Sequence, residues 1–284
     1  MAFACAGAFV LAACHSADAP VRSASDEVFR DDRRENRVVH AGESTVRDEV
    51  IVPRAEAPRT SNGVVDLSVE GFSPAVLHVP SGERRRPLVI GAHGAYDRAD
   101  AFCHVLAGAV QGRAFVLCPR GKRTDARIAP AEASYFFPTH LWLEREIAAG
   151  IQALGEAYPE EIDTTRAVYV GFSQGAIMGA LVVPRNPTQF PRALLVEGSY
   201  GLGQWNVETG ARFRRHGGER VAFVCGGWFC AEQARASAFA IEGRGARTKV
   251  IRAAGGHTYG GDVARSIVSV FPWVVDGDPR FADP

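Results

Sequence analysis

One serine in this chain sits in a setting that suits covalent chemistry. It is flanked by glycines two residues to either side, in Gly171-Phe172-Ser173-Gln174-Gly175. The apolar run Val168-Tyr169-Val170 precedes this stretch, and small residues beginning at Ala176 follow it. That order reads as strand, sharp turn, helix. Such a turn lifts the serine oxygen clear of the sheet and sets it at the positive end of the next helix. Glycine is needed on both sides because a Cβ there would meet the strand or the helix. A serine hydroxyl is a weak nucleophile at neutral pH and needs a base within hydrogen-bond reach. His257 follows Gly255-Gly256 and is the candidate base. His93, in His93-Gly94, is the other histidine placed at a strand end, and its position suits shaping a loop better than moving a proton. Two carboxylates could orient a histidine. Glu197 closes the apolar run Ala193–Val196, and Glu232 lies beyond the run Val221–Cys225.

The surrounding pattern predicts the elements that would hold these groups. Short apolar runs predict strands at Val64–Val69, Pro74–Val79, Pro87–Ala92, Ala114–Cys118, Ala167–Val170, Ala193–Val196, Val221–Cys225 and Arg247–Arg252. Helical spacing or composition predicts helices at Asp100–Val110, Leu141–Tyr158, from the serine turn to Val183, Val207–His216, Ala231–Glu242 and Asp262–Trp273. A loop of about twenty residues before Tyr135-Phe136-Phe137 is long for a compact domain and marks a functional or mobile segment. Strands alternating with helices predict an α/β fold, with a mostly parallel central sheet and helices on both faces. Right-handed crossovers then carry the strand C-terminal ends to one edge. His93-Gly94, Ser173, Glu197 and His257 all follow strands, so they are expected to meet there.

The bulk composition is that of a globular protein, with 46% hydrophobic and 23% charged residues in 284. Lys+Arg and Asp+Glu each total 32, so no net charge draws the chain to nucleic acid or to an anionic membrane surface. Residues 1–14 are small and apolar and end in Leu11-Ala12-Ala13-Cys14. This resembles a bacterial lipoprotein signal, which implies export, a lipid anchor on Cys14, and a place on the periplasmic side of the outer membrane or at the cell surface. Residues 15–60 are densely charged and suit a flexible linker, leaving 61–284 as the folded domain. Outside the signal segment four cysteines remain, and an oxidising compartment would favour two disulfides. Of three possible pairings, Cys103–Cys118 with Cys225–Cys230 is preferred, because each pair spans one strand–helix junction. No cysteine pair has the spacing typical of structural zinc.

Over about residues 64–273 the chain resembles the α/β-hydrolase superfamily. The resemblance rests on His93-Gly94, on Gly171-Phe172-Ser173-Gln174-Gly175, on Gly256-His257, and on the order serine before histidine. Pro119-Arg120-Gly121 adds a likeness to the carboxylesterase/phospholipase and dienelactone-hydrolase-like branches. The resemblance implies a serine esterase without cofactor or metal. Its partner would be a small-molecule ester, not nucleic acid. Ser173 would attack the ester carbonyl, His257 would relay the proton, and the N–H groups of Ala95 and Gln174 would bind the oxyanion. The superfamily usually places an Asp just after the strand that here is Val221–Cys225, where this chain has Gly226-Gly227-Trp228. Glu197 is therefore preferred as the acid. Glu232, a Ser–His dyad without an acid, and a non-catalytic binding module stay open. The aromatics Tyr135, Phe136, Phe137, Tyr200, Trp205, Trp228 and Tyr259 are candidates for lining a substrate pocket.

Overall fold

A computed structural model describes residues 64–82 and 84–282. The signal-type segment with Cys14 and the linker 15–60 lie outside the described residues. Among the described residues, ten strands run in chain order as β1 (Val64–Leu67), β2 (Ala75–His78), β3 (Arg86–Ala92), β4 (Phe115–Cys118), β5 (Lys122–Arg123), β6 (Tyr135–Phe136), β7 (Ile162–Phe172), β8 (Arg192–Val196), β9 (Arg220–Cys225) and β10 (Arg247–Arg252). The helices are α1 (Ala99–Val110), α2 (His140–Ala157), α3 (Gln174–Val182), α4 (Val207–Arg215), α5 (Trp228–Glu242) and α6 (Gly261–Val275). Eight strands form one sheet in the order β1-β2-β4-β3-β7-β8-β9-β10. Its pairings are parallel from β4 through β10, and β2 pairs antiparallel with both β1 and β4.

The central strands are apolar on both faces because both faces are covered. Alternate residues divide between two cores. Leu88, Ile90, Ala167 and Tyr169 pack with residues of α2, α3, α4 and α5, while Val89, Val168, Val170 and Phe172 pack with α1 and α6. Helix α2 takes its buried face from Leu143, Ile147, Gly150 and Leu154, and the Thr139 hydroxyl caps its start by accepting from the Trp142 N–H. The preferred cysteine pairing is found. Cys103 on α1 is joined to Cys118 at the end of β4, and Cys225 at the end of β9 to Cys230 on α5, with Cα–Cα separations of 6.0 and 5.5 Å.

Two predicted features need correction. The long loop is not structureless, because β5 and β6 pair within it and Asp97 bridges to Tyr135. Strand β7 begins five residues before the predicted Ala167, since its register against β3 slips between Pro87 and Leu88 and the strand resumes at Ala167.

Candidate active site

The serine turn is held by close backbone packing. Ser173 has φ 50°, a left-handed conformation that residues with a Cβ rarely adopt. Its N–H donates to the Val196 carbonyl at 2.9 Å, tying the turn to β8. The Gly175 N–H donates to the His93 carbonyl at 3.0 Å, and a Cβ on Gly175 would overlap the Ala92 carbonyl. Tyr169, fully buried on β7, donates its hydroxyl to the Gly175 carbonyl at 2.7 Å, and burial raises its pKa. The turn is thus fixed by partners on β7 and β8 and by His93 just past the end of β3.

The structure brings three of the predicted groups into one line. His257 Nε2 lies 2.8 Å from Ser173 Oγ. On the other side of the ring, Nδ1 lies 3.5 Å from Glu197 Oε2. Glu197 is buried, and like Ser173 it is held at positive φ, 54°. Its second oxygen accepts the Gly226 N–H, and its own N–H donates to the Val224 carbonyl at 2.9 Å. A carboxylate behind Nδ1 favours the tautomer that carries its proton there. Nε2 is then left with a lone pair for the serine proton. The alternative acid is elsewhere, since Glu232 is exposed on α5 and paired with Arg235.

Position 226 also explains why no Asp follows β9. A Cβ on Gly226 would overlap the Gly256 carbonyl, because the turn after β9 packs directly under the His257 loop. The Gly256 N–H donates to the Gly226 carbonyl at 3.2 Å across that contact. The carboxylate comes from the neighbouring strand end instead.

Of the predicted oxyanion donors, Gln174 follows the serine in the chain and Ala95 follows Gly94, which packs on it. Gln174 opens α3, and among the described residues neither its N–H nor that of Ala95 has a backbone acceptor. Gly94 lies against the nucleophile, such that a Cβ there would stand 3.3 Å from Ser173 Cβ. The Gln174 side chain turns away and accepts the Phe137 N–H at 2.9 Å, anchoring the loop that follows β6. His93 is fully buried under the Phe137 ring, as expected of a residue that shapes the loop. Burial lowers its pKa, although two backbone carbonyls face its ring nitrogens.

The aromatic candidates differ in exposure. Tyr135, Phe137 and Trp205 are buried and belong to the core, and Phe136 is partly buried on β6. Trp228 is 68% exposed and Tyr200 is partly exposed. Both stand close beyond site residues, Trp228 two after Gly226 and Tyr200 three after Glu197. Burial and then the Glu197 charge raise the Tyr200 pKa. Phe229, not singled out from sequence, joins them, with its ring 5.8 Å from Tyr200 and 6.1 Å from Trp228. Tyr259 packs on Phe172 and donates to Asp97 at 3.2 Å. Burial and Asp97 push its pKa up to about 12.

Sequence reasoning also passed over Glu146, a carboxylate buried on α2. The signal was readable, because position 146 falls on the stripe of Leu143, Ile147, Gly150 and Leu154, where a charge needs a partner.

No family profile matches the sequence, and no curated protein sequence is detectably similar to it. Solved structures do resemble it. A carboxylesterase from Bacillus cereus is 15% identical with a TM-score of 0.51, covering 72% of this chain and 96% of that one. An arylesterase is 17% identical with a TM-score of 0.51, covering 80% and 88%. The thioesterase domain of a curacin biosynthetic pathway is 14% identical with a TM-score of 0.50, covering 73% and 98%. Likeness of shape at such low identity, together with the strand order and the serine turn, establishes that this chain has the α/β-hydrolase fold.

Proposed function

We propose that this protein is a serine hydrolase that cleaves carboxylic esters through an acyl-enzyme. The reading rests on one observation, the unbroken line from Ser173 Oγ through the His257 ring to the buried Glu197 carboxylate. Ser173 attacks the ester carbonyl as His257 Nε2 takes its proton. Glu197 holds the ring in place and balances the imidazolium that forms. The negative oxygen of the tetrahedral intermediate is received by the N–H groups of Ala95 and Gln174. His257 then returns the proton to the departing alcohol. A water activated by the same histidine frees the acid and restores the serine.

The rim formed by Tyr200, Trp228 and Phe229 suits the apolar part of a small, soluble ester. The lipoprotein-type signal at Cys14 and the two disulfides support a place outside the cytoplasm. A fluorophosphonate probe tests the central reading. Labelling of the wild type and not of Ser173→Ala is expected. Absence of labelling in the folded wild type refutes hydrolysis and leaves a binding module.

A further inference from the structure

Glu146 meets the oxyanion loop through a single peptide unit. Its Oε1 accepts the Gly121 N–H at 2.8 Å, and its Oε2 accepts the Trp142 indole N–H at 3.2 Å. The carbonyl of that same Arg120–Gly121 peptide stands 2.9 Å from His93 Nε2. His93 Nδ1 lies 2.7 Å from the Gly94 carbonyl, and the His93 carbonyl receives the Gly175 N–H at the start of α3. The neutral ring carries one N–H and donates to either the Arg120 or the Gly94 carbonyl; with that proton on Nε2 the ring is held by the Arg120 peptide, and its backbone leads into Gly94, which packs on Ser173, and then to the Ala95 N–H.

We infer that Glu146 is a positioning residue for ester hydrolysis, acting through the Arg120–Gly121 peptide and the His93 ring to set the direction of the Ala95 N–H. A carboxylate accepting from one end of a peptide polarises it and strengthens the carbonyl at the other end as an acceptor. That stronger acceptor favours the tautomer with its proton on Nε2, and the ring then donates to a carbonyl of fixed direction. The peptide cannot rotate away, because the Arg120 side chain is pinned by the Pro74 carbonyl at 2.7 Å and by Asp100 and Asp66. The ring cannot tilt away, because Phe137 packs on it with centroids 4.7 Å apart. This would be an expensive use of a buried carboxylate if only the N–H groups of Gly121 and Trp142 had to be satisfied, since water or a carbonyl would serve.

The inference rests on the serine-hydrolase reading, and its test separates the two. Glu146→Gln keeps the shape and one acceptor, while Glu146→Leu keeps none. Both are assayed on a chromogenic ester at a temperature where circular dichroism shows them folded. The His93 ring is followed by proton–nitrogen NMR in the wild type and in Glu146→Gln. A misdirected oxyanion donor costs part of what a deleted one does. The expected result is a fall in kcat of roughly 10-fold for Gln and more for Leu, with KM changed less than about 2-fold. The His93 Nε2–H resonance is expected to move upfield in Glu146→Gln. If that variant unfolds at lower temperature yet keeps the wild-type kcat and the wild-type His93 resonance, Glu146 is merely structural and the inference fails. If the wild type shows no Ser173-dependent turnover, the hydrolase reading fails first. In that case an unmoved His93 resonance overturns the link from Glu146 on its own.

Discussion

Replacing Glu197 by Gln should silence the site without disturbing the fold. The amide oxygen can still accept the Gly226 N–H that the carboxylate holds, and that bond decides which way the amide faces. The amide NH2 must then point at His257 Nδ1, now 3.5 Å from Oε2. A donor at that position moves the ring proton to Nε2, so the nitrogen 2.8 Å from Ser173 Oγ can no longer accept. The charge term can be sized from the same distance. Two unit charges at 3.5 Å in an effective dielectric of about 20 attract by roughly 5 kcal/mol. His257 is 50% exposed, so solvent screening cuts this to on the order of 1 kcal/mol, and the wrong tautomer carries most of the expected loss. The expected loss is about 10²–10³-fold in kcat, with KM within a factor of about two. Steady-state hydrolysis of a chromogenic ester measures it, with Glu232→Gln as the control expected to match the wild type. Retention of more than about a third of kcat by Glu197→Gln would refute the assignment, as would a loss confined to Glu232→Gln.

Three other outcomes follow from geometry already described. Gly226→Asp puts a carboxylate where the superfamily usually keeps it, but its Cβ overlaps the Gly256 carbonyl. It should lower kcat by at least about 10-fold and fail to restore Glu197→Gln, and recovery in the double variant would contradict the steric account. Burial pushes the Glu146 carboxyl from its ordinary 4.5 up to about 7, against the opposing pull of the N–H groups of Gly121 and Trp142 that it accepts. The folded state then holds this proton more tightly than the unfolded chain, so stability falls as pH rises from about 4.5 to about 7. At about 1.4 kcal/mol per unit, urea unfolding should show the wild type losing roughly 2 kcal/mol relative to Glu146→Gln between about pH 5.5 and pH 8. Equal slopes would contradict it. Trp228→Ala removes an exposed ring from the rim and should raise KM for aryl esters about five-fold, a loss near 1 kcal/mol of apolar contact, with kcat unchanged. An unaltered KM would move the substrate elsewhere.

The site was readable from sequence where one residue type carries its own context. Gly171 and Gly175 mark the turn because backbone fills the space a Cβ would need, and Glu197 stands out because it closes the apolar run Ala193–Val196. What escaped depends on partners distant in sequence. Arg192 and Arg220 looked like polar residues before a strand, yet both are buried as its first residue. Arg192 pairs with Glu219 and the Val274 carbonyl, and Arg220 with Asp276 and the Trp273 carbonyl. Strands β5 and β6 have two residues each, too few to show alternation. Tyr135 and Phe137 looked like pocket residues, but their loop folds back over His93 and buries them. The sequence favours Glu197 over Glu232, but no local pattern reveals how closely Gly226 fits under Gly256.

The three groups of the site differ in how they are fastened. Ser173 and Glu197 each continue the hydrogen-bond ladder of the sheet, through the carbonyls of Val196 and Val224. They can separate only if the central strands do. His257 rides on a loop that leaves β10, tied back to the turn after β9 by the Gly256 N–H and steadied on one side by the Phe172 ring at 5.2 Å. The free energy of opening that loop is therefore a fraction of the global unfolding free energy, and its opening rate is correspondingly fast. On warming, the serine should lose its base while the sheet is still whole. The upper temperature limit of the chemistry is then a property of a few loop residues, not of the core, and the two limits can be tuned separately.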